Sequence, residues 1–464
     1  MRYKPYEYQQ RATRFVIDHP ECGLLLDMGL GKSVITLTAL QELIDGCEID
    51  KTLVVAPKKV AETTWTTEAA KWDHLRDLKV AKVMGTAKQR KMALSEKADV
   101  YVINRDNFVW LVGLYGGRLP FDVLVIDELT SFKNSKSQRF KAMRIARPTV
   151  SRVIGLTGTP APNGLIDLWG QMYCIDMGER LGKSVTKYRE TYFDSHRWNN
   201  IVVRCDVKKG CDKIIRDRIA DICLSMQAKD YLQLPDLLMH TARVEMSPAT
   251  AEAYNKFERD RVLEFQQEHN DEPSNILANS AAGLLNKLSQ FSNGAVYDDE
   301  HNVHEIHGEK IDKLVEIIEA ANGSSVLVFY QFKHDITRII KSLKGYKVEV
   351  YEGERQLNDW NAGRINVLLA HPASTAYGLN MQQGGHYIVW FGTGWDLELF
   401  QQANARLHRQ GQQHPVTVYK LICAGTVDER ACAALESKSA KQQSLLDSLN
   451  YLIKKHSHGK GQRL

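Results

Sequence analysis

The chain has 464 residues, of which 43% are hydrophobic and 25% charged. That balance belongs to a globular protein with more than one core, and it excludes a disordered polymer, a collagen-like repeat and a disulfide-stapled miniprotein. Its 61 basic and 56 acidic residues leave a net charge of +5, too small over this length to diagnose a polyanion-binding protein.

No apolar run is long enough to cross a bilayer, so no membrane contact is expected. The opening Met1-Arg2-Tyr3-Lys4-Pro5-Tyr6 lacks the apolar stretch of an export signal, which leads to the expectation of a cytoplasmic location. The eight cysteines contain no Cys-x-x-Cys pair and read as reduced packing residues, with no structural metal.

Continuous apolar runs at 23–26, 52–56, 100–103, 123–126 and 153–156 alternate with helical patterns. Such runs predict strands buried on both faces of a parallel sheet, in a first α/β domain over 1–170. Runs at 325–329, 347–350, 365–369, 387–390 and 416–419 predict a second α/β domain over 309–430. Between them, residues 171–308 are dominated by helical spacing, as in Tyr254, Phe257, Val262 and Phe265, then Leu284, Leu285, Leu288 and Phe291. Within that insertion, residues 180–218 carry eleven Lys/Arg against five Asp/Glu, interleaved with Tyr188, Tyr192, Phe193 and Trp198. The stretch predicts a basic helical face, with Lys208, Lys209, Lys213 and Arg216 as candidate nucleic-acid contacts. Residues 431–464 predict a helix and a basic, disordered tail.

Asp27-Met28-Gly29-Leu30-Gly31-Lys32-Ser33 follows the first strand and opens a helical run. A phosphate loop belongs there, because helix N-terminal amides and glycine-permitted curvature cradle anionic oxygens. Lys32 would reach the β- and γ-phosphates of ATP and Ser33 would ligate Mg2+, with Gly29 and Gly31 shaping the turn. The longer eight-residue form of this motif wants glycine where the chain has Leu26. Val123-Leu124-Val125-Ile126-Asp127-Glu128 is a buried strand ending in two carboxylates. In order after a phosphate loop, Asp127 reads as the Mg2+ ligand and Glu128 as the group that deprotonates the attacking water.

Two further strings carry a family resemblance: Gly155-Leu156-Thr157-Gly158-Thr159-Pro160-Ala161-Pro162-Asn163 and Gln402-Ala403-Asn404-Ala405-Arg406-Leu407-His408-Arg409-Gln410-Gly411-Gln412. Together they resemble a Swi/Snf-type ATPase of helicase superfamily two. The second string departs from the family's motif VI only at Ala405, where the family has an acid. Tyr8-Gln9, Ala56-Pro57 with Trp65, Glu68 and Trp72, Val328 to Phe332, Ser374 to Asn380 and Thr426 to Arg430 resemble other family motifs in order. Thr130 stands where motif II of the family has histidine. The resemblance covers about residues 6 to 430 and looks like the compact, core-only forms of bacteriophage and bacterial genomes, so the compartment would be a bacterial or host cytoplasm.

The resemblance implies two RecA-like lobes with ATP between them. It makes Gln9 the adenine-reading residue, Arg406 and Arg409 the cations on the transferring phosphoryl group, and Thr157, Thr159, Gln402 and Gly378 coupling residues. A guanidinium suits that charge because it is planar and delocalised. The implied activity is ATP-driven translocation on double-stranded DNA without net strand separation, by a monomer; RNA stays open as a second polymer. A strand-separating helicase and a nucleotide-gated clamp are the competing readings. His301, His304 and His307 recur every third residue, but in a polar stretch that reads as an exposed turn.

Overall fold

Burial on both faces selects the strands. In the computed structural model, which describes residues 1–158, 164–198, 201–232, 234–268, 274–375, 379–436, 448–449, 451–452 and 455–456, every strand expected from a continuous apolar run is formed. The chain divides into two units, Met1–Gln233 and Leu234–Leu464.

The first unit contains β1 (Glu21–Leu26), β2 (Thr52–Ala56), β3 (Val80–Val83), β4 (Val100–Asn104), β5 (Val123–Asp127), β6 (Arg152–Thr157) and β9 (Cys223–Met226), with β7 (Phe193–Trp198) and β8 (Ile201–Val207) apart from them. Its sheet runs β3-β4-β2-β5-β6-β1-β9, and every pairing in it is parallel. Residues in β2 and β4 are buried throughout, whereas the edge strands β3 and β9 alternate between buried and exposed. That alternation hides the two edges from a search for continuous apolar runs. Helices cover the faces, and Phe108, Phe132 and Phe140 join Leu53, Ile103 and Ile126 in one core.

The stretch read as helical also contains the antiparallel pair β7–β8, with a register shift at His196/Arg197. Tyr188, Tyr192 and Phe193 are buried in the core of this unit, so they pack it rather than line a basic face. Trp198 belongs to β7, but its side chain lies outside the described residues.

The second unit holds β10 (Leu237–Val244), β11 (Ala295–Tyr297), β12 (Val303–Glu305), β13 (Val326–Phe329), β14 (Val348–Val350), β15 (Val367–Ala370), β16 (Tyr387–Trp390) and β17 (Val416–Cys423). Its six-stranded sheet runs β10-β17-β16-β13-β15-β14, again parallel at every pairing. Residues 171–308 are therefore shared out: β9 completes the first sheet and β10 edges the second. The helices Pro248–Glu268 and Ser274–Ser292 bring Val262, Phe265, Leu284, Leu285 and Leu288 into one apolar cluster.

Asp428, in the segment Thr426 to Arg430, is fixed by a buried polar network. Its Oδ2 accepts from Lys310 Nζ at 2.6 Å and from Ser292 Oγ at 2.7 Å, while Lys310 also donates to Asn293 Oδ1 at 2.8 Å. Lys310 is almost wholly buried, and a buried ammonium persists only when paired in this way. Of the tail, Lys455 and His456 both meet the buried Glu258 carboxylate, the histidine at 2.8 Å, while 454 and 457–464 lie outside the described residues. His301, His304 and His307 fall on and beside the small β11–β12 hairpin. There His304 Nε2 pairs with Asp298 Oδ2 at 2.8 Å and His307 Nε2 meets the Phe291 carbonyl at 2.8 Å.

Candidate active site

The chain reverses between β1 and the helix Lys32–Asp45, and the reversal needs glycine. Gly29 and Gly31 have φ of 87° and 83°, a left-handed backbone that side chains disfavour. At Gly31 a second constraint applies: a Cβ there would stand 2.7 Å from Gln9 Nε2. Gln9, on the helix Glu7–Asp18, is thus packed directly on the loop; its Nε2 donates to the Leu30 carbonyl at 3.4 Å and its Oε1 accepts from Tyr6 N at 3.1 Å. Lys32 Nζ donates to the Leu26 carbonyl at 2.7 Å and to the Asp27 carbonyl at 3.4 Å, which folds its ammonium over the end of β1. Ser33 Oγ has no hydrogen-bond partner among the described residues.

Asp127 ends β5, two strands from β1 in the sheet, and Glu128 follows it. Burial, then the neighbouring charge of Glu128, pushes the Asp127 carboxyl up to about 6. Opposing this, Trp65 Nε1 donates to Asp127 Oδ2 at 2.9 Å. That indole is fully buried, at the start of the helix Trp65–Lys71, so it holds the carboxylate from the protein side. Glu128 adopts φ 62° and ψ 69°, a left-handed conformation unusual for a non-glycine residue. Its Oε1 accepts from Thr130 Oγ1 and from Thr157 Oγ1, each at 3.0 Å. Thr157 ends β6, and the next residue closes the circuit: a Cβ on Gly158 would stand 3.2 Å from Met28 Cγ and 3.5 Å from Lys32 Nζ. The ends of β1, β5 and β6 thereby gather Gln9, the loop, both carboxylates and Thr157 on one edge of a parallel sheet. Ligands of open α/β sheets bind outside that edge.

In the second unit, Arg406 and Arg409 converge on one acceptor. The Leu379 carbonyl receives Nη1 of Arg406 at 3.3 Å and Nη1 of Arg409 at 3.0 Å. Gln402, buried on the helix Leu397–Asn404, lends its own carbonyl to Arg406 Nε at 3.0 Å. Two other residues of the string also bond within this unit. Gln412 Nε2 donates to the Gln382 and Gly385 carbonyls at 3.1 Å and 3.0 Å, and Asn404 Oδ1 accepts from Trp390 Nε1 at 2.9 Å. Thr159 and Gly378 lie outside the described residues.

The basic residues before and on the helix Cys211–Ile219 divide by exposure. Lys209, Lys213 and Arg216 are exposed, whereas Lys208 is half-buried and its Nζ donates to the Glu190 and Thr191 carbonyls at 2.6 Å and 3.2 Å. Trp65 and Thr130, which bond Asp127 and Glu128, are contacts that sequence reasoning missed. Their positions were visible in the motifs, but a hydrogen bond spanning 62 residues, as from Trp65 to Asp127, leaves no local signal.

Several known proteins are similar to this chain. Protein p41 of Acyrthosiphon pisum secondary endosymbiont phage 1 is 37% identical over 467 residues, covering 96% of this chain and 99% of its own. An uncharacterized ATP-dependent helicase of Mycoplasma genitalium is 25% identical over 97% of this chain but only 43% of its own length. The chain thus spans less than half of that relative. The Pyrococcus furiosus Hef helicase domain shares the fold, with a TM-score of 0.51 and 16% identity over 93% of this chain and 98% of that one. Residues 309–411 match the helicase conserved C-terminal domain. Residues 8–294, more than half of the chain, match the SNF2-related domain, and the protein belongs to that family.

Proposed function

We propose that this protein hydrolyses ATP and uses the energy to move along double-stranded DNA without net strand separation. Membership of the family implies use of ATP and Mg2+. The observation that carries the residue assignment is the adjacency, at the ends of β1, β5 and β6, of the glycine loop, the Asp127–Glu128 pair and Thr157. The donor set fits the nucleotide: a loop with two left-handed glycines for phosphate, and the oxygens of Ser33 and Asp127 for a hard cation.

Gln9 would contact the base, and the loop amides with Lys32 would hold the β- and γ-phosphates. Mg2+ held by Ser33 and Asp127 would neutralise charge on the phosphate oxygens. Glu128 would take the proton of the attacking water, and Arg406 and Arg409 would supply guanidinium charge to the transferring group. Thr157, next to the loop at Gly158 and bonded to Glu128, is suited to relay nucleotide occupancy. Thr159, Gln402 and Gly378 are assigned to coupling on the resemblance of their motifs.

Trp65→Phe removes the indole N–H from Asp127 Oδ2 while keeping an aromatic ring in the core. The expected result is a rise of about 10–100-fold in the Mg2+ concentration that half-saturates ATP turnover, the usual cost of losing a partner that orients a metal ligand. An unchanged Mg2+ titration would remove Trp65 from the site.

The basic cluster is assigned to DNA phosphates. Lys209→Glu, Lys213→Glu and Arg216→Glu combined should weaken duplex binding and flatten its salt dependence. For every DNA phosphate that the variant no longer neutralises, the log–log slope shrinks by about 0.9. Lys208→Glu should act less through DNA, since its ammonium is engaged by Glu190 and Thr191. Fluorescence anisotropy across a salt series checks both; an unaltered slope for the triple variant makes the cluster a plain solvated face.

The function itself is tested by ATP turnover with no nucleic acid, single-stranded DNA, duplex DNA and RNA, followed by triplex displacement and forked-duplex unwinding. Duplex stimulation and triplex displacement without fork unwinding are expected. Fork unwinding without triplex displacement would instead establish a strand-separating helicase, and equal turnover under all conditions would remove DNA as the activator.

A further inference from the structure

We propose that Thr130 is a positioning residue for Glu128, and that the Thr130 and Thr157 hydroxyls together hold this carboxylate by a single oxygen. The inference rests on the reading of Glu128 as the group that deprotonates water. Thr130 stands two residues beyond Glu128, in the 3₁₀ turn Leu129–Phe132, at the position where the resembled motif has histidine. A side chain at that spacing reaches back to Glu128 because the backbone of Glu128 itself turns left-handed, with φ 62° and ψ 69°. Thr157 approaches from the end of the neighbouring strand. Both hydroxyls donate to Oε1 at 3.0 Å, and both threonines are buried, at 3% and 0% exposure, so bulk water does not compete for them.

A carboxyl group whose one oxygen accepts from two buried donors is fixed in its last side-chain torsions. Glu128 Oε2 accepts no hydrogen bond among the described residues, which leaves it to take a proton from water. The two donors differ in what carries them. Thr157 continues into Gly158, which lies against Met28 and Lys32, so this donor is placed beside the glycine loop. Thr130 is carried by the turn that Glu128 begins, so its bond to Oε1 depends on that turn alone and not on the neighbouring strand. Thr130 is thus the local anchor of the base and Thr157 the donor linked to the nucleotide loop.

The test is ATP turnover with saturating duplex DNA for the wild-type chain, Thr130→Val, Thr130→Ala, Thr130→Ser and Glu128→Gln, with melting temperatures recorded alongside. Thr130→Val, which keeps the volume and loses the hydroxyl, should lower kcat by about 10–100-fold and leave the KM for ATP within about twofold. Thr130→Ala should match it in kcat despite its different packing, and Thr130→Ser should recover to within about threefold of wild type. The proposal is overturned if Thr130→Val keeps wild-type kcat while Glu128→Gln is inactive. It is equally overturned if Thr130→Ser is as slow as Thr130→Val, which would make the methyl group the needed part. Wild-type turnover by Glu128→Gln is a separate pattern: it removes the base assignment itself, and the positioning role with it.

Discussion

Glu128→Gln is expected to bind ATP normally and to lose turnover by about a hundred- to ten-thousandfold, the contribution of a positioned general base. The structure makes this a clean substitution. An amide oxygen at the place of Oε1 still accepts from Thr130 and Thr157, each at 3.0 Å in the present geometry, so the side chain keeps its position. Asp127 and its bond from Trp65 are untouched, so Mg2+ and nucleotide affinity should persist. Only the proton acceptor is gone, because an amide nitrogen has no basic lone pair to offer. Phosphate release, measured beside binding of a fluorescent ATP analogue, separates the two properties. Hydrolysis at the wild-type rate would assign the base elsewhere.

Arg406→Ala and Arg409→Ala are each expected to lower kcat by about a thousandfold or more, the scale of a guanidinium removed from a phosphoryl-transfer transition state, with ATP affinity far less affected. The two side chains share the Leu379 carbonyl, at 3.3 Å and 3.0 Å, so either one truncated leaves that carbonyl an acceptor for the other. Local collapse should be smaller at Arg409, which is only half-buried. At Arg406, which is buried and also bonded to the Gln402 carbonyl, some thermal stability should be lost as well. Arg→Lys should not restore activity at either position, because an ammonium cannot reproduce the planar fork. Normal activity per folded molecule, with a lowered melting temperature alone, would make both arginines structural.

Much of this architecture is legible in the residues themselves. Parallel strands buried on both faces must be largely apolar, so the interior strands announce themselves, whereas β14, an edge of the second sheet, shows only the interrupted run Lys347-Val348-Glu349-Val350; the glycine loop and the acidic pair follow strands in the right order. What escapes is whatever depends on an edge or on distance. β3 and β9 expose every second residue, and β10 exposes most of its length while pairing with β17 over eight residues, so none shows a continuous apolar run. Tyr188, Tyr192 and Phe193 sit among lysines and arginines in the chain but fill the first unit's core, because sequence neighbours need not share an environment.

The same division holds at the site. By itself the sequence determined which chemical groups are present and their order: a glycine loop with Lys32 and Ser33, the Asp127–Glu128 pair, and a string bearing Arg406 and Arg409. These are local patterns, set by what a strand-to-helix turn or a strand end requires of its own residues. Only the tertiary structure decided how each group is held. Trp65 on Asp127, Thr130 and Thr157 on Glu128, Gln9 on Gly31 and the two arginines on Leu379 are all within hydrogen-bonding or van der Waals reach. Such pairings depend on side-chain direction to a few tenths of an ångström, and strand order and helix packing set that direction, not spacing along the chain.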